Sequence, residues 1–301
     1  MMRVTQRAVV LTSLQGLNSN LAAVSKLQQQ LTAGKTISRP SDSPTGTNTS
    51  LITRKAISGN DQYARNISDG QTFLDATDSA IQDMLSQVRR VRDLTVQALN
   101  GGAQSASSQQ AIATEISGIR ESMLGQANQV VQGRPLFGGV TAGSKAYDVS
   151  GAYVGVGGSG GIAVQPLTRR VSEVETIRVD LTGPEAFGDP ASGKDLFSVV
   201  NSVVSHVGDT TALTSDLKDL DGVINGMLAA AADIGTRSSR MQTAATVNSG
   251  AALNLKSQLS NTEDVDLPKT IMEMQMQQNG YQAALQTTAK VIQPTLLDFL
   301  K

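Results

Sequence analysis

A 3-4 repeat of apolar residues runs through both ends of this chain, and it restricts the fold more than any other feature. Near the front the stripe is Val10, Leu14, Leu17, Leu21, Val24 and Leu31, with Gln28 the one polar member. At the back it is Leu267, Ile271, Met274, Gln278, Tyr281, Leu285, Thr288, Ile292, Thr295 and Phe299. Such spacing lays one stripe along one face of a helix. Two matching stripes on the two ends invite each other as partners. The expected fold is mainly α: an elongated antiparallel coiled coil and helical bundle, with a small β-rich domain inserted in the middle.

Composition removes most chemistry. Aromatics are only 3% of 301 residues and tryptophan is absent, so a thick globular core is not expected. Net charge is -1, which favours neither nucleic acid nor an anionic surface as a partner. There is no cysteine, hence no disulfide, no thiolate metal site and no cysteine nucleophile. No apolar run approaches the roughly 20 residues of a membrane span. Ala8-Val9-Val10-Leu11 is too short for a secretory core segment. The first 41 residues hold five basic side chains and no acid, as a transit peptide does, but a removable leader needs no matching seam at the other end.

Local signals divide the rest. The spacing predicts a helix from Gln6 to Ala33, stopped by Gly34. Ser43-Pro44 reads as an N-cap followed by proline at N1. Helical period continues through Leu74, Ile81, Met84, Val88 and Val91, then through Ile112, Ile116, Ile119 and Met123. Residues 133–161 hold ten glycines and three charges, and β-like runs follow at Ile162-Ala163-Val164 and Ile177–Leu181. Helical period resumes near Lys194 and breaks at Asp264–Asp266. The expected domains are 1–40, an N-terminal coiled-coil arm; 41–135, half of a bundle; 136–193, a glycine-rich β insert; 194–264, the other half; and 265–301, the C-terminal arm. The halves mirror each other around the insert, which is expected to be replaceable by a short linker.

Three motifs carry little chemistry. Gly155-Val156-Gly157-Gly158-Ser159-Gly160 matches G-x-G-x-x-G, and Asp180 lies 20 residues beyond, as in a dinucleotide site. That site needs a helix starting at the last glycine, yet Ile162–Pro166 is β-like and ends in proline. His206 is the only histidine, too few for a metal centre or triad. Arg89-Arg90-Val91-Arg92 spreads around one helical turn and reads as a solvated face or an intersubunit salt bridge. No catalytic residue, cofactor or metal is expected, and the chain is not read as an enzyme.

Several stretches resemble a known family. They are Arg3-Val4-Thr5, Gly34-Lys35-Thr36-Ile37-Ser38-Arg39-Pro40-Ser41-Asp42-Ser43-Pro44, Asn66, Leu74, Arg89–Leu94, Asn100-Gly101, Ala127-Asn128, Leu136-Phe137-Gly138-Gly139, Glu263–Leu267 and Thr295–Leu300. Together they resemble the flagellar hook-associated proteins of the bacterial flagellin superfamily, most of all those at the hook–filament junction. Ser43 stands where the family has a second acid, and serine caps a helix equally well. The likeness covers about 135 residues at the front and about 90 at the back, and leaves out the insert.

The resemblance implies a structural subunit at the junction of hook and flagellin filament, with filament flagellin as the alternative and a nucleotide-binding enzyme as a remote one. Implied partners are copies of itself in a ring, a hook-associated protein on the hook side, flagellin on the filament side and an export chaperone. Neither nucleic acid nor membrane is implied. Localisation would be the extracellular flagellum, reached through the flagellar type III apparatus. The assembly interface is expected at Leu14, Leu17, Leu21, Val24 and Leu31 in front. At the back it is expected at Ile271, Met274, Leu285, Ile292, Leu296, Phe299 and Leu300. Glutamines thin both stripes, so residues 1–35 and 268–301 are expected to be largely disordered before assembly.

Overall fold

The computed structural model describes residues 6–100, 105–140, 143–156 and 165–292. These residues are mainly helical. α1 (Gln6–Ala33) contains no proline and stops where Gly34 takes a φ of +66°, the left-handed end that glycine adopts without strain. α2 (Pro44–Asn100) opens at the predicted cap, with the Gly46 amide donating to Ser43 Oγ at 3.1 Å. It runs unbroken for 57 residues. α3 (Ala106–Ala127) is capped by Ser105, whose side chain accepts from the Ser108 amide.

Two hairpins follow. β1 (Val130–Val131) and β2 (Arg134–Pro135) turn through Gln132 and Gly133, both at positive φ. That pair of left-handed residues matches the twist of a tight two-residue hairpin. β3 (Thr168–Arg170) and β4 (Thr176–Arg178) pair antiparallel with Arg169 opposite Ile177. α4 (Gly183–Phe187), α5 (Leu196–Ser205), α6 (Thr210–Glu263) and α7 (Leu267–Ile292) complete the order. Asp266 caps α7 by accepting from the Lys269 amide at 3.2 Å, so the predicted break and restart fall in place.

The chain divides into two compact units, Met1–Gly59 with Ala252–Lys301, and Asn60–Ala251. The second unit holds nearly all of the buried apolar side chains. Along α2 it buries Leu74, Ile81, Met84, Val88 and Val91; along α6 it buries Leu213, Leu220, Met227, Ile234 and Met241, one per heptad. The two helices are antiparallel there: Asn60 and Asn248 exchange amide-to-carbonyl hydrogen bonds, and Arg92 pairs with Asp221.

The insert belongs to that same core, contrary to the expectation of a replaceable element. Phe137, Tyr147, Phe187 and Phe197 pack edge to face at 4.7–6.1 Å between ring centres. Ala146, Ile177, Val179 and Leu181 are buried beside them in one continuous cluster with α2, α3 and α6. Asn128 clamps its entry: Oδ1 accepts from the Ala146 and Tyr147 amides, and Nδ2 donates to the Tyr147 carbonyl. Among its described residues the insert has one named hairpin, β3–β4, too small to bury apolar faces by itself, and its side chains pack on the helices instead. The strand expected at Ile162-Ala163-Val164 lies outside the described residues.

In the first unit Val24 is the one buried apolar residue among those described; Ser50, Thr53, Glu263, Thr270 and Thr288 are the buried polar ones.

Candidate assembly surface

The first unit is built on α1 and α7, and the connector between α1 and α2 fixes their relation. Lys35 and Asp264 form an antiparallel bridge. The Thr36 amide donates to the Glu263 carbonyl at 2.6 Å, and the Val265 amide donates to the Gly34 carbonyl at 3.1 Å. The connector's own bend is held by Asp42, which accepts from the Ser38 and Arg39 amides and pairs with Lys26. Sequence stretches 229 residues apart, both part of the resemblance, thus meet in one knot.

Charge locks the knot. Glu263, buried, takes both Arg54 Nε and Nη2, at 3.0 and 2.6 Å, while Lys35 Nζ lies 3.4 Å from Glu263 and 2.6 Å from Asp264. The forked contact from Arg54 is the main reason the Glu263 carboxyl is held down at about 2. Hydrogen bonding between Lys35 and Asp264 raises the amine and lowers the carboxyl.

From this knot α1 runs back as α7 runs forward. Fifteen residues before Lys35, Asn20 meets Gln277, thirteen residues after Asp264, with Gln277 Nε2 donating to Asn20 Oδ1 at 3.0 Å. The pair is therefore antiparallel. The covered positions along its seam are Ser13, Leu17, Asn20, Val24, Leu27 and Leu31 on α1, with Ala23 and Gln30 partly covered beside them. On α7 they are Thr270, Met274, Gln277, Tyr281, Ala284 and Thr288, with Gln278 partly covered beside them. Both series alternate steps of four and three, the a and d positions of a heptad.

This contact line differs from the apolar stripe seen in the sequence. Leu17, Val24, Leu31, Met274, Tyr281 and Thr288 belong to both and face the partner helix. Leu14, Leu21, Ile271 and Leu285 occupy e positions and stay exposed, Leu21 by 51% and Leu285 by 43%. The d positions between them are mostly small or polar, so the intrachain contact uses the poorer stripe. In an antiparallel pair of right-handed helices, e positions of both partners emerge on the same side. Leu14 and Leu21 thus share one flank with Ile271 and Leu285. Ile292 ends α7, and Leu296, Phe299 and Leu300 lie outside the described residues.

The other sequence motifs have structural places. His206 ends α5, with Nδ1 2.7 Å from Asp216 Oδ2. Arg90 pairs with Glu115 and Arg92 with Asp221, both within the chain. Asp180 is buried and accepts from the Leu167 amide and Arg178. Gly155 lies against the Tyr153 ring; most of the G-x-G-x-x-G loop lies outside the described residues. Sequence reasoning did not single out Asn20 or Gln277, because a polar pair gives no signal in an apolar period.

The sequence model of the bacterial flagellin N-terminal helical region matches residues 4–142, and that of the C-terminal helical region matches residues 217–300. The chain belongs to the bacterial flagellin family. It is 26% identical over 315 residues to flagellar hook-associated protein 3 of Salmonella typhimurium, covering 95% of this chain and 96% of that one. It is 29% identical over 281 residues to a flagellin of Bacillus subtilis, covering 90% of each. Among solved structures, a putative flagellar hook-associated protein from Vibrio parahaemolyticus superposes with a TM-score of 0.66 at 20% identity, over 74% of this chain and all of that one. FlgL of Bacillus cereus superposes with a TM-score of 0.59 at 23% identity, over 69% and 99%. The two family regions contain α1 and α7, the helices that carry the exposed e-position side chains.

Proposed function

We propose that this chain is a structural subunit of the bacterial flagellum, working at the junction between hook and filament. The observation that carries the reading is the apolar flank of the α1–α7 pair: Leu14, Leu21, Ile271 and Leu285, exposed in the single chain and spaced as a coiled-coil seam. A seam of that period fits other helices of the same kind, so its occupant is a neighbouring copy of the chain. Likeness to hook-associated protein 3 over almost the full length of both chains supports the junction position. In this role the subunit does no chemistry. Copies of itself pack laterally, a hook-associated protein lies on the hook side and flagellin on the filament side. The chain reaches that place outside the cell by flagellar export, accompanied by a chaperone.

Filament flagellin is the second reading, favoured by the Bacillus subtilis relative. Immunogold electron microscopy of a tagged chain separates them. Label confined to a narrow band where hook meets filament supports the junction; label along the filament identifies flagellin. Saturable binding of a nucleotide by the intact protein would overturn both.

A further inference from the structure

The two units carry opposite charge. The first holds eleven Lys and Arg against six Asp and Glu, the second fourteen against twenty, so their nets are +5 and -6. The near-neutral total hides this division. Like units repel, so copies of the chain gain most by setting the first unit of one against the second unit of the next.

The first unit offers a cleft of about 190 Å3 where the connector meets the start of α2, lined by Ile37, Arg39, Pro40, Thr47, Leu51 and Arg54. Pockets for small molecules run from about 300 Å3 upward, so this one is sized for a side chain. Ile37 reaches in over Gly46, where an added Cβ would lie 2.5 Å from Ile37 Cδ1. Leu51 stands 61% exposed, and Thr47 Oγ1 is enclosed without a hydrogen-bond partner among the described residues. The mouth is cationic. Glu263 is already engaged by Arg54 and Lys35, Asp42 is paired with Lys26, and α2 has no acid before Asp61. Arg39 uses its amide in the connector, while its guanidinium has no partner among the described residues.

The second unit offers a matching knob. Val174, in the turn between β3 and β4, is 95% exposed, more than any other large apolar side chain described. Its turn is firmly built. Ser172 Oγ accepts from the Glu175 amide at 3.0 Å, and Arg170 donates to the carbonyls of Ser172 and Glu173. A turn preorganised in this way docks at little entropic cost. Glu175 is paired with Arg240, whereas the Glu173 carboxylate has no partner among the described residues. Val149 is the rival knob at 84% exposed, but the Asp148 carboxylate beside it is engaged by Ser150 and the Ala152 amide and leaves no free charge.

We infer that the β3–β4 turn of one copy docks in the α2 cleft of the next, with Val174 against Ile37 and Leu51 and Glu173 toward Arg39. The inference rests on the proposed packing of copies of the chain. Knob and cleft belong to different units, so the contact is heterologous. Each copy uses its knob on one neighbour and its cleft on another, and such a series closes into a ring when its rotation allows.

The test uses purified full-length chain added to hooks of cells that lack the protein, with incorporation counted by immunogold. Arg39→Glu and Glu173→Arg should each melt like the parent. Each should incorporate about tenfold less, because each sets like charges together. The double variant, with the charges exchanged, should recover most of the loss. A Val174→p-benzoylphenylalanine chain, half of it labelled with heavy isotope, should on irradiation join light chain to heavy, with the crosslink between 37 and 54. Normal incorporation of either single variant, no recovery in the exchanged pair, or capture of flagellin or a hook protein in place of a second copy overturns the docking. When the parent chain still labels the junction, any of these results leaves the proposed function standing. A parent chain that never labels flagella overturns that reading, and the docking with it.

Discussion

Gln277 donates to Asn20 across the middle of the α1–α7 pair, so a central layer of the contact is polar on both sides. Polar layers of this kind set register at some cost in stability. Asn20→Leu alone strands the Gln277 amide and should weaken the pair by about 0.5–1 kcal/mol, at the low end because the site is half-covered. Asn20→Leu with Gln277→Leu should do the reverse, slowing amide exchange in both helices while permitting slips of a heptad. Faster exchange in the double variant would show that the amide pair, not packing, holds the helices together.

Acid should loosen the knot at the base of this pair. The Glu263 carboxyl is held at about 2 in the folded chain, below its ordinary value of 4.5. A depressed carboxyl stabilises the fold above the ordinary value and loses that contribution as pH falls from about 4.5 to about 2. Amide protection of Gly34–Thr36 and Val265 should therefore drop across that window. Glu263→Gln should lower protection at neutral pH and flatten the acid response. An identical pH profile in the variant would mean that Arg54 and Glu263 do not couple to the knot.

Leu285→Asp tests the exposed flank without touching the core. The side chain is already half in water, so the free chain should melt within about 0.5 kcal/mol of the parent. In an assembled wall the carboxylate would be buried unpaired, at a cost of several kcal/mol. The variant should be made and exported yet fail to join hook to filament. A sharp fall in monomer melting temperature with normal motility would mark Leu285 as part of an intramolecular core.

Phe187→Ala should cost about 3–5 kcal/mol, because its ring packs against both Phe137 and Tyr147. Replacing residues 140–192 by a flexible linker should likewise reduce helical circular dichroism, since Tyr147 and Ile177 complete the helical core. Full retention of helicity would show that α2, α3 and α6 close upon themselves.

Native-state exchange of the free chain should be strongly graded. Amides of α1 and α7 should exchange orders of magnitude faster than those of α2 around Met84 or α6 around Met227, because Val24 is the sole buried apolar side chain among the described residues of the first unit. Uniform protection along the chain would contradict this.

The helices were legible because their signals are local. Gly34, Ser43-Pro44 and Asp264–Asp266 mark ends by backbone chemistry, and each end lies where those residues put it. The partner face of α1 and α7 was not legible from hydrophobicity. The richer stripe mixes a and e positions, while the actual contact needs d positions that are small or polar, such as Ser13, Asn20, Thr270 and Ala284. Half of the apolar residues of that stripe thus lie beside the intrachain contact, exposed at Leu14, Leu21, Ile271 and Leu285. The insert misled for the opposite reason: its glycine content signals loops, but Asn128 and four aromatic rings tie those loops into the core.

The Lys35–Asp264 contact joins positions 229 residues apart, which gives the α1–α7 pair a very high contact order. Closing so long a loop costs entropy before any of the pair's thin contacts form. Pairing of the end helices should therefore be a late event in folding and an early one in unfolding, with the second unit already complete as a platform. Kinetically the ends should then act as a reversible clasp, opening and closing while the second unit stays folded.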